Sequence, residues 1–188
     1  DEVGRATNGT IKVVEYLNDQ DIHIKWCIVG EPSSQYQVAD TVKNGRRGSL
    51  TGHLTILGVQ GHVAYPERSE NPIHRVMPVL NKLCDTVWDK GNRFYVPTSF
   101  QISNINAGTG ADNVIPGTVK VQFNFRYSTE VTETQLKEQV ESLLMGHKLR
   151  FEVEWLPSSK PFLTASGDLL RVTTQVITDS TGSAPQIS

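Results

Sequence analysis

The sequence lacks the features that mark membrane, secreted and nucleic-acid-binding proteins. It has only two cysteines among 188 residues, too few for a disulfide framework, and no apolar run approaches the roughly 18 residues that a transmembrane helix needs. It also lacks an excess of positive charge, because 18 Lys and Arg are balanced by 20 Asp and Glu, which gives a formal net charge of -2. Nucleic acid and anionic membranes are therefore poor default partners.

Cysteine usage and the two termini indicate a cytoplasmic protein of which this chain is a part. Cys27 lies in an apolar run and Cys84 on an apolar helical face, so both are predicted to be buried free thiols, as is usual in a reducing cytoplasm. The chain starts at Asp1 rather than Met, without a signal segment, and it stops at Ser188 just after a helical pattern. We therefore expect a longer parent protein.

Residues 1–47 predict a helix followed by a buried strand. Apolar residues recur at helical spacing after a possible cap at Asn8, and an apolar run at 24–29 predicts the strand. In α/β domains ligands lie beyond the carboxyl ends of such strands, and Glu31 is at this position. Its carboxylate, like those of Asp1 and Glu2, could serve a metal site or act as a base. The alternative is that Glu31 caps a turn and that the other two are terminal charges.

Residues 48–156 follow the order β-α-β-β-α-β. Period-two alternation predicts strands near 48–57, 99–105, 118–127 and 150–156. One helix begins at Pro72, and a second follows a capping box formed by Thr132 and Gln135. This order is that of a ferredoxin-like unit, with a four-stranded antiparallel sheet and two helices on one face.

The same order also occurs in RNA-binding modules, in which aromatic residues of a central strand stack on bases. Phe123, Phe125 and Tyr127 share one face of the third strand. The basic and glycine-rich signature that accompanies such aromatics is absent, so these side chains are predicted to pack against the two helices.

The predicted fold class is α+β, with three segments. Residues 1–47 and 157–188 would be two pieces of a partial α/β domain, and the ferredoxin-like unit of residues 48–156 would be inserted between them. A helical pattern from Leu169 to Ile177 follows a Pro-rich linker at 157–161.

Three loops could hold chemistry. His62 lies between Gly61 and an aromatic residue, where an imidazole could donate to a developing oxyanion or move a proton; the alternative is an exposed loop histidine. Residues 43–48, with Arg46 and Arg47, and the glycine-rich loop 108–113 offer guanidinium and amide groups that suit a carboxylate. The alternatives there are a solvated hinge and a tight turn.

Several motifs together resemble one family. The segments that carry this resemblance are 42–52, 58–66, 71–74 and 104–117, with 27–34 and 159–163. They are similar to the succinyl-diaminopimelate desuccinylases of the dinuclear zinc aminoacylase and carboxypeptidase family. The resemblance covers essentially the whole chain and implies a zinc-binding α/β domain interrupted by a ferredoxin-like dimerisation domain.

The resemblance also implies roles for individual residues. Glu2 matches the general base that activates zinc-bound water, Glu31 matches a zinc ligand, and His62 matches the histidine that reaches across a homodimer to polarise the scissile amide carbonyl. The family's second ligand position after Glu2 is occupied by Val3, which cannot bind zinc. The matches to the positions around the substrate's carboxylates are Arg46, Tyr65, Asn113 and Arg126, with Asp112 where the family has Asn.

The activity implied is zinc-dependent release of succinate from N-succinyl-LL-2,6-diaminopimelate in lysine and diaminopimelate biosynthesis. Two zinc ions per subunit are implied, with cobalt as a substitute. The family's remaining ligands are not found in this chain, so we expect the segment alone to be inactive. Two alternatives remain open at this point: a related deacylase such as acetylornithine deacetylase, and a metal-free dimerisation module.

Overall fold

The computed structural model describes residues 9–156, 159–164 and 166–188. The helices of these ranges are α1 (Thr10–Asp19), α2 (Pro72–Asp85), α3 (Glu133–Gly146) and α4 (Asp168–Thr181), with a 3₁₀ turn at Pro66–Arg68. The longer strands are β3 (Gly48–Leu57), β5 (Ser99–Ala107), β7 (Thr118–Tyr127) and β8 (Arg150–Trp155). The two-residue strands are β1 (Thr41–Val42), β2 (Gly45–Arg46), β4 (Gly61–His62), β6 (Val114–Ile115), β9 (Phe162–Leu163) and β10 (Gln186–Ile187).

The four longer strands form one antiparallel sheet in the order β5-β7-β3-β8. Strand β3 pairs with β7 along its whole length, from Gly48 opposite Tyr127 to Leu57 opposite Thr118, and with β8 on its other side. In chain order α2 lies between β3 and β5, and α3 between β7 and β8. The predicted α+β class and the ferredoxin-like order are therefore confirmed.

The core lies between this sheet and the helices α2 and α3. Alternation along β7 turns five side chains inward, each at most 1% exposed: Val119, Val121, Phe123, Phe125 and Tyr127. The two helices contribute the opposing layer: Val76, Val79, Leu80, Leu83, Leu136, Val140 and Leu144. Because these helices cover the aromatic face, it is not available for stacking on RNA bases.

Local signals set both helix starts. The side chain of Asn71 accepts a hydrogen bond from the backbone N–H of Ile73 at 3.0 Å, and Pro72 occupies the first turn, where its missing N–H is harmless. At α3 the predicted capping box of Thr132 and Gln135 is present. Pro78 lies inside α2 without ending it.

Two predictions were wrong. The apolar run at 24–29 is not a strand, because no neighbouring strand among the described residues offers this segment hydrogen-bond partners. Its side chains are also uncovered, with Ile28 and Val29 70% and 72% exposed. Cys27 and Cys84 are exposed free thiols rather than buried ones, since Cys27 belongs to that uncovered segment and Cys84 lies outside the buried stripe of α2. The predicted cap Asn8 lies outside the described residues.

Short strand pairs join the segment before the sheet unit to the segment after it. Strand β1 pairs in parallel with β10, and β2 pairs antiparallel with β9 at the point where the chain enters and leaves the unit. Helix α4 confirms the helical pattern predicted around Leu169 to Ile177. None of the helices in the described ranges is long and apolar enough to cross a membrane.

Candidate functional site

The pairing of β4 with β6 joins two of the predicted functional loops. His62 lies opposite Val114 in this antiparallel pair, and the backbone N–H of Val63 donates to the carbonyl of Asn113 at 3.0 Å. These contacts bring the histidine loop and the glycine-rich loop 108–113 together, although their positions in the chain are about fifty residues apart. Gly108 and Gly110 have φ of 85° and 84°, a left-handed conformation that suits glycine at this turn.

The imidazole of His62 is oriented by its own loop. Its Nδ1 accepts a hydrogen bond from the backbone N–H of Ala64 at 3.0 Å, so the proton of the neutral ring is on Nε2. The amide Nδ2 of Asn113 lies 3.5 Å from that Nε2. Two donors that face one region can share one acceptor, such as a carbonyl oxygen or an oxyanion.

Tyr65 and Asp112 flank this pair of donors. The ring of Tyr65 lies 5.8 Å from the His62 ring, centroid to centroid, and the guanidinium of Arg68 lies over the Tyr65 ring at 5.3 Å. Asp112 is exposed and directly precedes Asn113. We call His62, Tyr65, Asp112 and Asn113 the histidine cluster.

Two arginines lie at the other end of the sheet. The register of β3 and β7 places Ser49 opposite Arg126, and Arg46 lies on β2 just before β3, 3.4 Å from the hydroxyl of Ser159. Both arginines are exposed. Within the part of the chain that the structure describes, neither guanidinium has a carboxylate oxygen within 4.0 Å. An exposed, unpaired guanidinium suits capture of a carboxylate from a ligand.

Sequence reasoning did not find Ser49. Its hydroxyl accepts a hydrogen bond from Nδ2 of Asn124 at 3.1 Å, and its place beside Arg126 depends on the strand register, which a single sequence does not reveal. We call Arg46, Ser49 and Arg126 the arginine cluster.

The two clusters are far apart within one chain. The arginine cluster lies at the Gly48 end of β3, and the histidine cluster follows the Leu57 end. Ser49 and Leu57 are eight residues apart on a continuous strand, a distance of roughly 25 Å at the usual rise per residue. No small molecule could contact both clusters of the same chain at once.

A complete metal site does not form among the described residues. Glu31 is exposed and lies outside helices and strands, and no group of three or more His, Cys, Asp or Glu side chains in the described ranges could hold a metal ion. Glu2 and Val3 lie outside these ranges. The structure therefore does not bring Glu31 together with either predicted cluster as a zinc site.

The comparisons with known proteins agree with this architecture. Residues 44–152 match the family described as the peptidase dimerisation domain. The chain belongs to this peptidase dimerisation domain family. The matched range begins at the connection into the sheet unit and ends within β8, so it contains both arginines of the arginine cluster and the whole histidine cluster.

Curated relatives match across almost the whole chain. A succinyl-diaminopimelate desuccinylase from Nitrosococcus oceani is 57% identical over 182 residues, which is 97% of this chain and 48% of that protein. A desuccinylase of the same name from Acinetobacter baumannii is 55% identical over 188 residues, 100% of this chain and 50% of that protein. This dimerisation-domain chain thus spans about half the length of the curated relatives it matches.

Solved structures share the fold at much lower identity. An M20 family metallo-carboxypeptidase from Sulfolobus solfataricus superposes with a TM-score of 0.61 at 12% identity, over 77% of this chain and 45% of that one. At this identity the likeness shows the fold alone. It supports the α+β arrangement described above.

Proposed function

We propose that this chain is part of a zinc-dependent amide hydrolase that releases succinate from N-succinyl-LL-2,6-diaminopimelate, a step of lysine and diaminopimelate biosynthesis. The relatives that match almost the whole chain at 55% and 57% identity carry the name of that desuccinylase. Residues 48–156 would be the dimerisation domain, inserted between two pieces of a catalytic domain at 1–47 and 157–188. We place the enzyme in the cytoplasm, in keeping with its two free thiols.

The observation that carries this proposal is the separation of the two clusters by the length of β3. A substrate with carboxylates and a scissile amide needs guanidinium groups and an oxyanion donor within one small pocket. One chain presents them roughly 25 Å apart. A twofold dimer solves this problem, because the histidine cluster of one copy can complete the pocket that contains the arginine cluster of the other.

In such a pocket each described side chain has a defined task. Nε2–H of His62 and the amide of Asn113 donate to the acyl oxygen as negative charge develops on it, which lowers the barrier to amide cleavage. Arg46 and Arg126 hold the carboxylates of the substrate and so orient the amide. Tyr65 and Asp112 line the pocket beside His62. Glu2, which lies outside the described residues, would be the general base that takes a proton from the attacking water.

The described residues do not make a zinc site by themselves, since Glu31 has no second and third ligand close to it. A catalytic zinc usually has three protein ligands. We propose that Glu31 contributes one of them and that the others belong to the half of the relatives' length that this chain does not cover.

The homodimer contact is proposed on strand β5. The sheet order makes β5 and β8 the two edges. Unpaired edges are usually protected by charged residues, and β8 carries Arg150, Glu152 and Glu154, whereas the nine residues of β5 contain none. Ile105 on β5 is 56% exposed. An uncharged, partly apolar edge of this length suits pairing with the same strand of a second copy.

A subunit-mixing experiment tests the proposal. In the full-length protein that contains this segment, His62→Ala and Arg126→Ala are each expected to abolish most turnover of N-succinyl-LL-2,6-diaminopimelate, the former by about 10²–10³ in kcat. When the two variants exchange subunits, one pocket of each mixed dimer has both wild-type residues. Since half of the dimers are mixed, about a quarter of the wild-type activity should return.

The control is His74→Ala, which removes another exposed histidine and should leave turnover unchanged. Failure of the mixed sample to regain activity, although light scattering shows a dimer, would refute the shared pocket. Faster turnover of N-acetylornithine would instead indicate a related deacylase, and a full-length protein that binds no zinc would indicate a dimerisation module without catalysis.

A further inference from the structure

Strands β2 and β9 form a narrow ribbon, which we call the connecting ribbon, where the chain enters and leaves the sheet unit. Gly45 lies opposite Leu163 and Arg46 opposite Phe162. The buried Asn44 holds the end of the ribbon that is next to Thr164. The carbonyl of Asn44 accepts from the backbone N–H of Thr164, and Nδ2 of Asn44 donates to the carbonyl of Thr164 at 3.1 Å. The backbone at Arg46 is therefore held by hydrogen bonds and is not a free hinge.

A third segment also contacts the ribbon. Tyr95, on the loop between α2 and β5, is 8% exposed, and its hydroxyl donates to the carbonyl of Phe162 at 2.6 Å. Phe162 is the register partner of Arg46 in the ribbon. The phenol therefore bridges this loop and the ribbon at the register pair formed by Arg46 and Phe162.

The ribbon has a vacant volume for this hydroxyl because residue 45 is glycine. A Cβ at Gly45 would lie within van der Waals overlap of the Tyr95 hydroxyl and 2.5 Å from the carbonyl oxygen of Phe162. Any other residue would displace the phenol or push the strands apart. The position of the Tyr95 hydroxyl therefore depends on the absence of a side chain at Gly45.

The loop that carries Tyr95 is itself held in place. The side-chain oxygen of Asn92 accepts from the backbone N–H groups of Phe94 and Tyr95, each at 2.9 Å, and the backbone N–H of Asn92 donates to the carbonyl of Tyr95 at 2.8 Å. A hydroxyl presented from such a fixed turn can act as a rigid support for the ribbon.

We propose that Tyr95 is a positioning residue for Arg46: its hydroxyl fixes the backbone from which the Arg46 guanidinium reaches a carboxylate of the substrate. The bridge itself is independent of the function proposed above, but its role for Arg46 rests on that function. The group that Arg46 would bind is a carboxylate of the succinyl or the amino-acid part of the substrate.

The bridge is tested first in the 188-residue chain. Tyr95→Phe removes the hydroxyl that holds the Phe162 carbonyl, so opening of the ribbon breaks one buried hydrogen bond fewer and amide hydrogen exchange at Arg46 should become roughly tenfold faster. Exchange at Phe123 in the sheet core should not change. The matched control is Tyr36→Phe, because Tyr36 is 92% exposed. Unchanged exchange at Arg46 in Tyr95→Phe would overturn the bridge.

The role for Arg46 is tested by a double-mutant cycle on kcat/KM in the full-length protein. Tyr95→Phe should raise KM for N-succinyl-LL-2,6-diaminopimelate about five- to tenfold with little change in kcat, and it should have no further effect once Arg46→Ala is present. Effects that multiply independently would overturn the inference alone. Wild-type kcat/KM in Arg46→Ala would instead overturn the carboxylate role proposed for Arg46, and the inference with it.

Discussion

The carboxylate of Asp89 joins three parts of the sheet unit, and its replacement by asparagine gives a quantitative prediction. One oxygen accepts from the backbone N–H groups of Gly91 and Thr98, at 2.6 and 3.1 Å. The other accepts from the hydroxyls of Thr98 and Ser128. Thr98 begins the approach to β5 and Ser128 directly follows β7, so this one side chain joins the loop after α2 to both strands.

The magnitude follows from the donors. Asp89→Asn leaves one oxygen for the two backbone N–H groups and turns an amide nitrogen toward the two hydroxyls, so two hydrogen bonds to a charged acceptor are lost. Each is worth about 1.5–3 kcal/mol, and rotation of the hydroxyls recovers part of this loss. We expect a loss of about 2–3 kcal/mol in the free energy of unfolding, which corresponds to roughly 5–10 °C in Tm for a chain of this size.

The pH dependence has a definite sign. Burial raises the pKa of Asp89, but the hydrogen bonds from Thr98, Gly91 and Ser128 lower it by more, so its pKa lies below the ordinary value of 3.8. A carboxyl with a lowered pKa stabilises the fold above the unfolded pKa and loses this contribution as the pH falls through the folded pKa. The difference in stability between the wild type and Asp89→Asn should therefore narrow below about pH 4.

The assay is thermal unfolding followed by circular dichroism from pH 2.5 to pH 7. The control is Asp85→Asn, an exposed aspartate whose carboxylate accepts a hydrogen bond from Asn81 on the same helix; it should change stability by less than about 0.5 kcal/mol. Equal Tm values for Asp89→Asn and Asp85→Asn at pH 7 would refute the reasoning.

Two further predictions concern packing. A Cβ at Gly52 would overlap the buried ring of Phe123, so Gly52→Ala should lower the free energy of unfolding by about 1–3 kcal/mol, measured in urea. Gly146→Ala, with open space around its Cβ, is the control and should be neutral or slightly stabilising. Equal urea midpoints for the two variants would contradict the close contact at Gly52. Leu83 is fully buried and Met77 is 59% exposed on the same helix, so Leu83→Ala should cost about 2–5 kcal/mol and Met77→Ala under 1 kcal/mol, and the reverse order would show that α2 packs by another face.

Much of the sheet unit could be predicted because its signals are local. Alternation along β7 and the capping box of Thr132 depend on residues that are neighbours in the chain, so a single sequence contains them. The apolar run at 24–29 is also a local signal, yet the segment is not a strand, because a strand also needs a hydrogen-bonded neighbour. Periodicity alone cannot show whether that neighbour is present.

The candidate site was only partly accessible to such reasoning. The resemblance pointed to His62, Arg46 and Arg126 individually, but not to the distance between them, which depends on the length of β3 and on the register with β7. Ser49 and Tyr95 lacked any local signal. Ser49 lies next to Arg126 only through strand pairing, and Tyr95 meets Phe162 across 67 positions of sequence.

Strand β3 has a mechanical consequence if two copies share their pockets as proposed. It is hydrogen-bonded on both sides, so it is a rigid element. In each copy one end of β3 would lie in the copy's own pocket and the other end in the pocket of its partner. A ligand that displaces β3 at one pocket would then also displace it at the second pocket, because no hinge lies between them. Deleting two residues from β3 would keep its inward and outward faces but bring the two pockets closer by about 7 Å. The number of residues in this strand, rather than the identity of any one of them, would therefore set how the two pockets communicate.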